Sequence, residues 1–271
     1  MYPFTYHRPT TIDEARALFE ASEDGSFLSG GHTLLPTLKA RLAAPSDMID
    51  LTAIDALKGV EPIDGGVRIG GATTHAEVAR HPLVRERLPV LAGLAGSIGD
   101  RHVRHRGTIG GSVANNDPAA DYPAAVLGLG ATVVTDRRQL AADDYFIGLY
   151  ETAREPDEIV VAIDFPAPLS AGYAKFRNLA SRYAVAATFV VRTEAGVRVA
   201  VTGAYSAGVS RPRDFEAALD ADFRPEALDR LTIDPQLMLA DPAATAAYRA
   251  NLVKVLARRA VAGQGDVLIL K

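Results

Sequence analysis

Two pairs of adjacent glycines, each set among hydroxyl-bearing residues, constrain this chain most. The first lies in Ser29, Gly30, Gly31, His32, Thr33, Leu34, Leu35 and Pro36. The second lies in Thr108, Ile109, Gly110, Gly111 and Ser112, and runs on through Asn115, Asn116 and Asp117 to Asp121, Tyr122 and Pro123. Paired glycines let the backbone approach a ligand with no Cβ in the way. Successive N–H groups in such a turn converge on an anion. Thr108 and Ser112 add hydroxyl donors, and Asn115, Asn116, Asp117 and Asp121 offer acceptors for sugar-type hydroxyls. The second segment therefore reads as the holder of the pyrophosphate and polyol of a nucleotide cofactor.

The surrounding pattern places the first segment between a strand and a helix. Strand character at 4–6, 26–28 and 48–51 alternates with a helix begun by the capping-box pair Thr11 and Glu14. A second helix is expected over 34–42, with Pro36 harmless in its first turn. This is a small right-handed βαβ-type unit. A glycine loop at the start of such a helix favours an anion. No G-x-G-x-x-G and no P-loop occurs, so a nicotinamide Rossmann domain is a poor reading. Further on come a strand at 67–71, a capping box at Thr74 and Glu77, helices at 88–97 and 123–129, and strands at 131–135 and 159–165. Pro166, Ala167 and Pro168 mark a boundary. Beyond it, strands at 172–177, 187–192 and 197–204 precede helices at 214–219, 225–231 and 245–261, an α+β pattern. The last strand signal, 267–270, is expected to add to a sheet edge or to a partner.

Composition narrows the chemistry. The 271 residues include no cysteine, which excludes disulfides, thiol catalysis and iron–sulfur ligation within this chain. Any redox electrons would travel on an organic cofactor, and any metal centre would belong to another chain. The formal net charge of −4 argues against nonspecific nucleic-acid binding. No apolar run is long enough to span a membrane. The N-terminal residues lack the apolar core of a signal peptide, so a cytoplasmic location is expected.

Single residues read less sharply. His102 and His105 have metal-like spacing, but Arg101, Arg104 and Arg106 around them would repel a cation. His75 and His81 read as surface residues. His32 suits either a phosphate-side role or a structural hydrogen bond. Asp121 could cap the helix that follows it or meet a cofactor hydroxyl. Tyr183 could be a half-buried aromatic or stack on a flat ring. Arg177 and Arg182 read as solvated strand-end charges.

The two glycine segments, with Leu38, Lys39, Ala40, Arg41, Leu42 and Ala43 after the first and Arg104 to Gly107 before the second, resemble the medium, flavin-binding subunits of the molybdenum hydroxylases. Lys175, Phe176 and Arg177, with Ala180, Ser181, Arg182, Tyr183 and Ala184, fit the same pattern. The similarity is nearest to aerobic carbon monoxide dehydrogenase-like enzymes, and the module also occurs in xanthine dehydrogenase. It runs over nearly the whole chain.

The resemblance implies an α+β fold: a two-subdomain, PCMH-like FAD-binding domain at 1–168, divided near 55, then a C-terminal domain of antiparallel sheet plus helices at 169–271. It implies noncovalent FAD held by Ser29, Gly30, Gly31, His32, Thr33 and Leu34 and by Thr108, Ile109, Gly110, Gly111 and Ser112. Asp121 becomes an acidic FAD contact, and Ile98, Val160, Arg177 and Tyr183 become flavin-side positions. Partners would be a small subunit with two [2Fe–2S] clusters and a large subunit with the molybdenum cofactor, assembled as a dimer of heterotrimers. The complex would be cytoplasmic or held at the inner membrane surface. This chain would pass electrons to an external acceptor, with no residue of its own acting as acid, base or metal ligand. A stand-alone NAD(P)H-dependent flavin reductase and a nonenzymatic nucleotide-binding module are the alternatives.

Overall fold

The computed structural model describes residues 1–270. Three main sheets follow one another along the chain. β1 (Thr5–His7), α1 (Ile12–Ala21), β2 (Gly25–Leu28), α2 (Leu34–Lys39) and β3 (Asp47–Asp50) build the first. Its strands are parallel in the order β1-β3-β2, so each connection is a crossover rather than a tight turn. Thr11 caps α1 by accepting from the Glu14 amide at 3.2 Å, while the Glu14 carboxylate accepts from the Thr10 amide at 2.8 Å. The capping box thus closes one residue early. The helix expected over 34–42 ends at Lys39, and Arg41 turns left-handed at φ 59°. Leu38 is its one buried residue, so there is little apolar face to carry the helix further.

The second sheet starts with β4 (Val60–Ile63) and β5 (Gly66–Gly70). Six helices intervene: α3 (His75–Arg80), α4 (Pro82–Arg87), α5 (Pro89–Ser97), α6 (Arg101–Arg106), α7 (Ile109–Asn115) and α8 (Tyr122–Leu129). β6 (Thr132–Thr135), β7 (Gln139–Ala141), α9 (Ala142–Tyr145), a small ladder of β8 (Phe146–Gly148) with β9 (Glu151–Thr152), and β10 (Val160–Pro166) follow. The sheet is antiparallel throughout, in the order β4-β5-β10-β6-β7. Every residue of α8 is buried, as an all-round apolar helix must be.

The third sheet contains β11 (Ser170–Arg177), β12 (Ala184–Thr193), β13 (Gly196–Thr202) and β14 (Val267–Leu270), with α10 (Arg213–Ala221) and α11 (Ala246–Ala262) beside it. Its order is β13-β12-β11-β14, and β14 runs parallel to β11 from Tyr173↔Val267 to Phe176↔Leu270. The 267–270 strand therefore completes this sheet's own edge. Both faces are covered. Ala187, Phe189 and Val191 share a core with Val126 and Leu127 of α8, whereas Ala186 and Val190 share one with Val253 and Leu256 of α11. That alternation is the period-two pattern of a strand between two layers. No described helix is long and apolar enough to cross a membrane.

Candidate functional site

The two glycine segments meet. Ser29 follows β2, Thr108 precedes α7, and their hydroxyl oxygens lie 2.9 Å apart. Behind them the backbone at 107–110 runs against 71–75. The His75 amide donates to Gly107 at 2.9 Å, Ile109 to Thr73 at 3.1 Å and Gly110 to Gly71 at 2.8 Å. In front opens a cleft of about 670 Å³, within the usual range of cofactor sites. Ser29, Gly30, Gly31, His32, Thr33, Leu34, Thr108, Gly110, Gly111 and Ser112 all line it, as do Ile98, Asp121, Val160 and Tyr183. Residues far apart in sequence are thus brought to one wall.

Two of the expected residues lie elsewhere. Ile109 is fully buried in the core behind the cleft. Arg177 ends β11 outside the lining, with its Nε buried and unpartnered. Arg182, read as a solvated strand-end charge, lines the cleft and donates to the Gly99 carbonyl at 3.1 Å.

The segments differ in their amides. Those of Gly30, Gly31, His32, Thr33 and Leu34 donate to no other group among the described residues. In the second segment the Ile109, Gly110, Gly111 and Ser112 amides are all engaged, by Thr73, Gly71, the Thr108 hydroxyl and the Thr108 carbonyl. The expected anion-converging turn is instead the first turn of α7, capped by Thr108. One glycine in each segment, Gly110 in the second and Gly30 in the first, serves packing. A Cβ on Gly110 would stand 2.6 Å from the Gly71 carbonyl oxygen, and one on Gly30 would stand 2.5 Å from that of Arg106. Gly31 is held at φ 76°, where side-chain-bearing residues are strained.

Sequence reasoning missed His75. It is 5% exposed rather than a surface residue, lines the cleft and packs 5.3 Å from the Tyr122 ring. Burial, with His32 and Arg104 nearby, lowers its pKa to about 3, so it is neutral. The readable signal was the third glycine pair, Gly70 and Gly71, just before the Thr74–Glu77 capping box, which forms in full. Asn116 also departs from expectation. Its side-chain amide donates to Gly148 and Glu151 at 2.8 and 2.9 Å, pinning the β8–β9 turn outside the lining. Asp121 makes no cap. Its carboxylate accepts from Tyr173 and Lys175.

These features fit a flavin dinucleotide. The free amides of the first segment suit a diphosphate, and Asn115, Asp117 and Asp121 place polar groups along the same wall. Tyr183, 43% exposed, is also part of the lining. Burial first, then the Asp117 charge, raises its phenol pKa and keeps the O–H in place. The stacked pair Phe19 and Phe27 also borders the cleft.

The sequence profile of the FAD-binding domain in molybdopterin dehydrogenase matches residues 2–168. The chain belongs to that family. It is 34% identical over 274 residues to the nicotine 6-hydroxylase medium subunit of Paenarthrobacter nicotinovorans, across 96% of both chains. It is 36% identical over 274 residues to the carbon monoxide dehydrogenase medium chain of Afipia carboxidovorans, across 95% of both. The reconstituted CO dehydrogenase from Oligotropha carboxidovorans superposes with a TM-score of 0.88 at 33% identity, over 96% of each chain. The chain is thus an FAD-binding oxidoreductase subunit of the medium-chain type, with the mixed α and β fold of that group.

Proposed function

We propose that this chain is the electron-exit subunit of a molybdenum-containing hydroxylase or dehydrogenase complex. Its partners are a small iron–sulfur subunit and a large molybdenum subunit, in a cytoplasmic dimer of heterotrimers. The observation that carries the cofactor half of this reading is the run of free amides from Gly30 to Leu34 on the cleft wall. When bound, FAD supplies the redox chemistry that links the partner's clusters to an external acceptor. The chain's own residues bind and orient it. The first segment receives the diphosphate, Thr108 and Ser112 supply hydroxyls beside it, Asp121 receives a cofactor hydroxyl, and Tyr183 borders the ring with Ile98 and Val160. The first 168 residues form the FAD-binding domain, which the extent of the profile match supports. The lack of cysteine agrees with clusters carried by another chain.

The test is an absorbance spectrum of the purified protein before and after acid precipitation, with identification of whatever co-purifies. Released FAD together with two partner chains, one rich in iron, supports the reading. A yellow chain that purifies alone and is reduced rapidly by NADH overturns it in favour of a self-contained reductase.

A further inference from the structure

Asp121 is part of the cleft wall, yet it is only 5% exposed. What holds it comes from the third sheet. Tyr173 donates its phenolic O–H to Oδ1, and the Lys175 ammonium donates to Oδ2 at 2.9 Å while standing 2.8 Å from Oδ1. Tyr173 and Lys175 are each 1% exposed. They lie two residues apart on β11 and so project from one face of the strand. Neither lines the cleft, so both stand behind Asp121.

Stability is a weak reason to keep such a pair. Apolar residues of similar volume often replace a buried ion pair with no loss. The third sheet is already joined to α8 by Phe189, Val191 and Ala200, which share its core. The pair does something apolar packing cannot. It fixes a carboxylate in one orientation, with its charge balanced, on the wall of a polar cleft. A carboxylate has about four lone-pair sites. Tyr173 and Lys175 leave acceptor capacity for a hydroxyl donor in the cleft.

We propose that Lys175 is a positioning residue of the cofactor site, acting through Asp121. The third sheet then completes a site whose other anchors, the two glycine segments, lie within residues 29–112. The proposal rests on the function given above, and its cofactor is a flavin dinucleotide with a hydroxylated chain.

The experiment is FAD titration of the full chain, in the assembly in which it purifies, after removal of bound flavin. Wild type, Lys175→Met, Lys175→Arg, Asp121→Asn and the Lys175→Met/Asp121→Asn double variant are compared, with thermal melting as the control for folding. Lys175→Met should weaken FAD binding by about ten- to a hundredfold, the usual value of a hydrogen bond to a charged group. Lys175→Arg should recover most of it. In the Asp121→Asn background, Lys175→Met should change the affinity by less than about twofold, because its route of action is gone. If Lys175→Met does not fold, the comparison of the neutral double variant with Asp121→Asn decides alone. Undiminished binding by a folded Lys175→Met, or a further large loss in the Asp121→Asn background, overturns the proposal while leaving the function intact. A wild-type protein that takes up no FAD overturns both.

Discussion

In the segment at 29–34 no amide from Gly30 onward has a partner among the described residues, whereas at 108–112 every amide from Ile109 onward has one. Both segments show a glycine pair beside hydroxyl residues, and both line the same cleft. The first presents backbone donors outward. The second uses Gly110 to bring α7 against Gly71, as the first uses Gly30 to pass Arg106, but its amides are spent within the protein. A double glycine therefore signals a close approach of backbone to something. Whether that is a ligand or another stretch of chain is settled by what lies behind it.

The comparison can be broken at Gly110. A Cβ there would meet the Gly71 carbonyl oxygen at 2.6 Å and its Cα at 2.7 Å, and backbone cannot rotate aside. Gly110→Val should therefore cost about 3 kcal/mol of stability, as overpacking at a rigid contact does. Urea unfolding would show it even with no flavin present. An unchanged midpoint would mean that the second segment is as open as the first.

The same packed region should fail in acid. His75 touches Gly107 closely enough that a Cβ on that glycine would stand 2.5 Å from Nε2. Its imidazole pKa is lowered to about 3, by burial first and then by His32 and Arg104. In the unfolded chain it protonates near 6.5. The folded-state pKa is the lower one, so the unfolded state binds the extra proton between those values. The neutral form's contribution is complete above about pH 6.5 and is lost as pH falls toward 3, at about 1.4 kcal/mol per unit. His75→Gln should flatten that part of the stability curve by one proton. A curve with the same slope in both proteins would place the proton uptake elsewhere.

How much of this was legible in the chain follows from where each constraint lies. The first βαβ unit could be read because Thr11, the glycine pair and the apolar spacing are local signals. The resemblance of both segments to flavin-binding subunits pointed to the cofactor. What could not be read depended on tertiary partners. Gly71 lies far along the chain from Gly110, yet it sets why Gly110 must be glycine. The place of His75 in the core depends on Tyr122 and Gly107, and its position at the start of a short helix gives no hint of burial. Asp121 could be read as a helix cap from residue type alone, and only the packing of the third sheet on α8 brings Lys175 to it.

Substitutions at Gly31 should sharpen the contrast, since they should reach flavin binding before the fold. Gly31 sits at φ 76° with only side-chain atoms of Leu35 and Leu28 near its missing Cβ. Gly31→Ala should cost about 1 to 2 kcal/mol of backbone strain. Relief of that strain turns the neighbouring amides away, so FAD affinity should fall by about tenfold or more while the protein still melts cooperatively. Gly31→Asn should be milder, because asparagine tolerates this conformation better.

The smallest effect belongs to the contact between the segments. Ser29→Ala removes the 2.9 Å link to Thr108 but leaves Thr108 accepting from the Gly111 amide at 3.2 Å, so the cap of α7 survives. Loss of one neutral, partly buried hydrogen bond is worth about 1 kcal/mol, or roughly fivefold in FAD affinity. Thr108→Ala removes link and cap together and should cost about 1 kcal/mol more, seen in stability as well as binding. If Ser29→Ala lowers stability as much as Thr108→Ala does, the two segments are one packed unit, and their division into one with free amides and one with engaged amides fails.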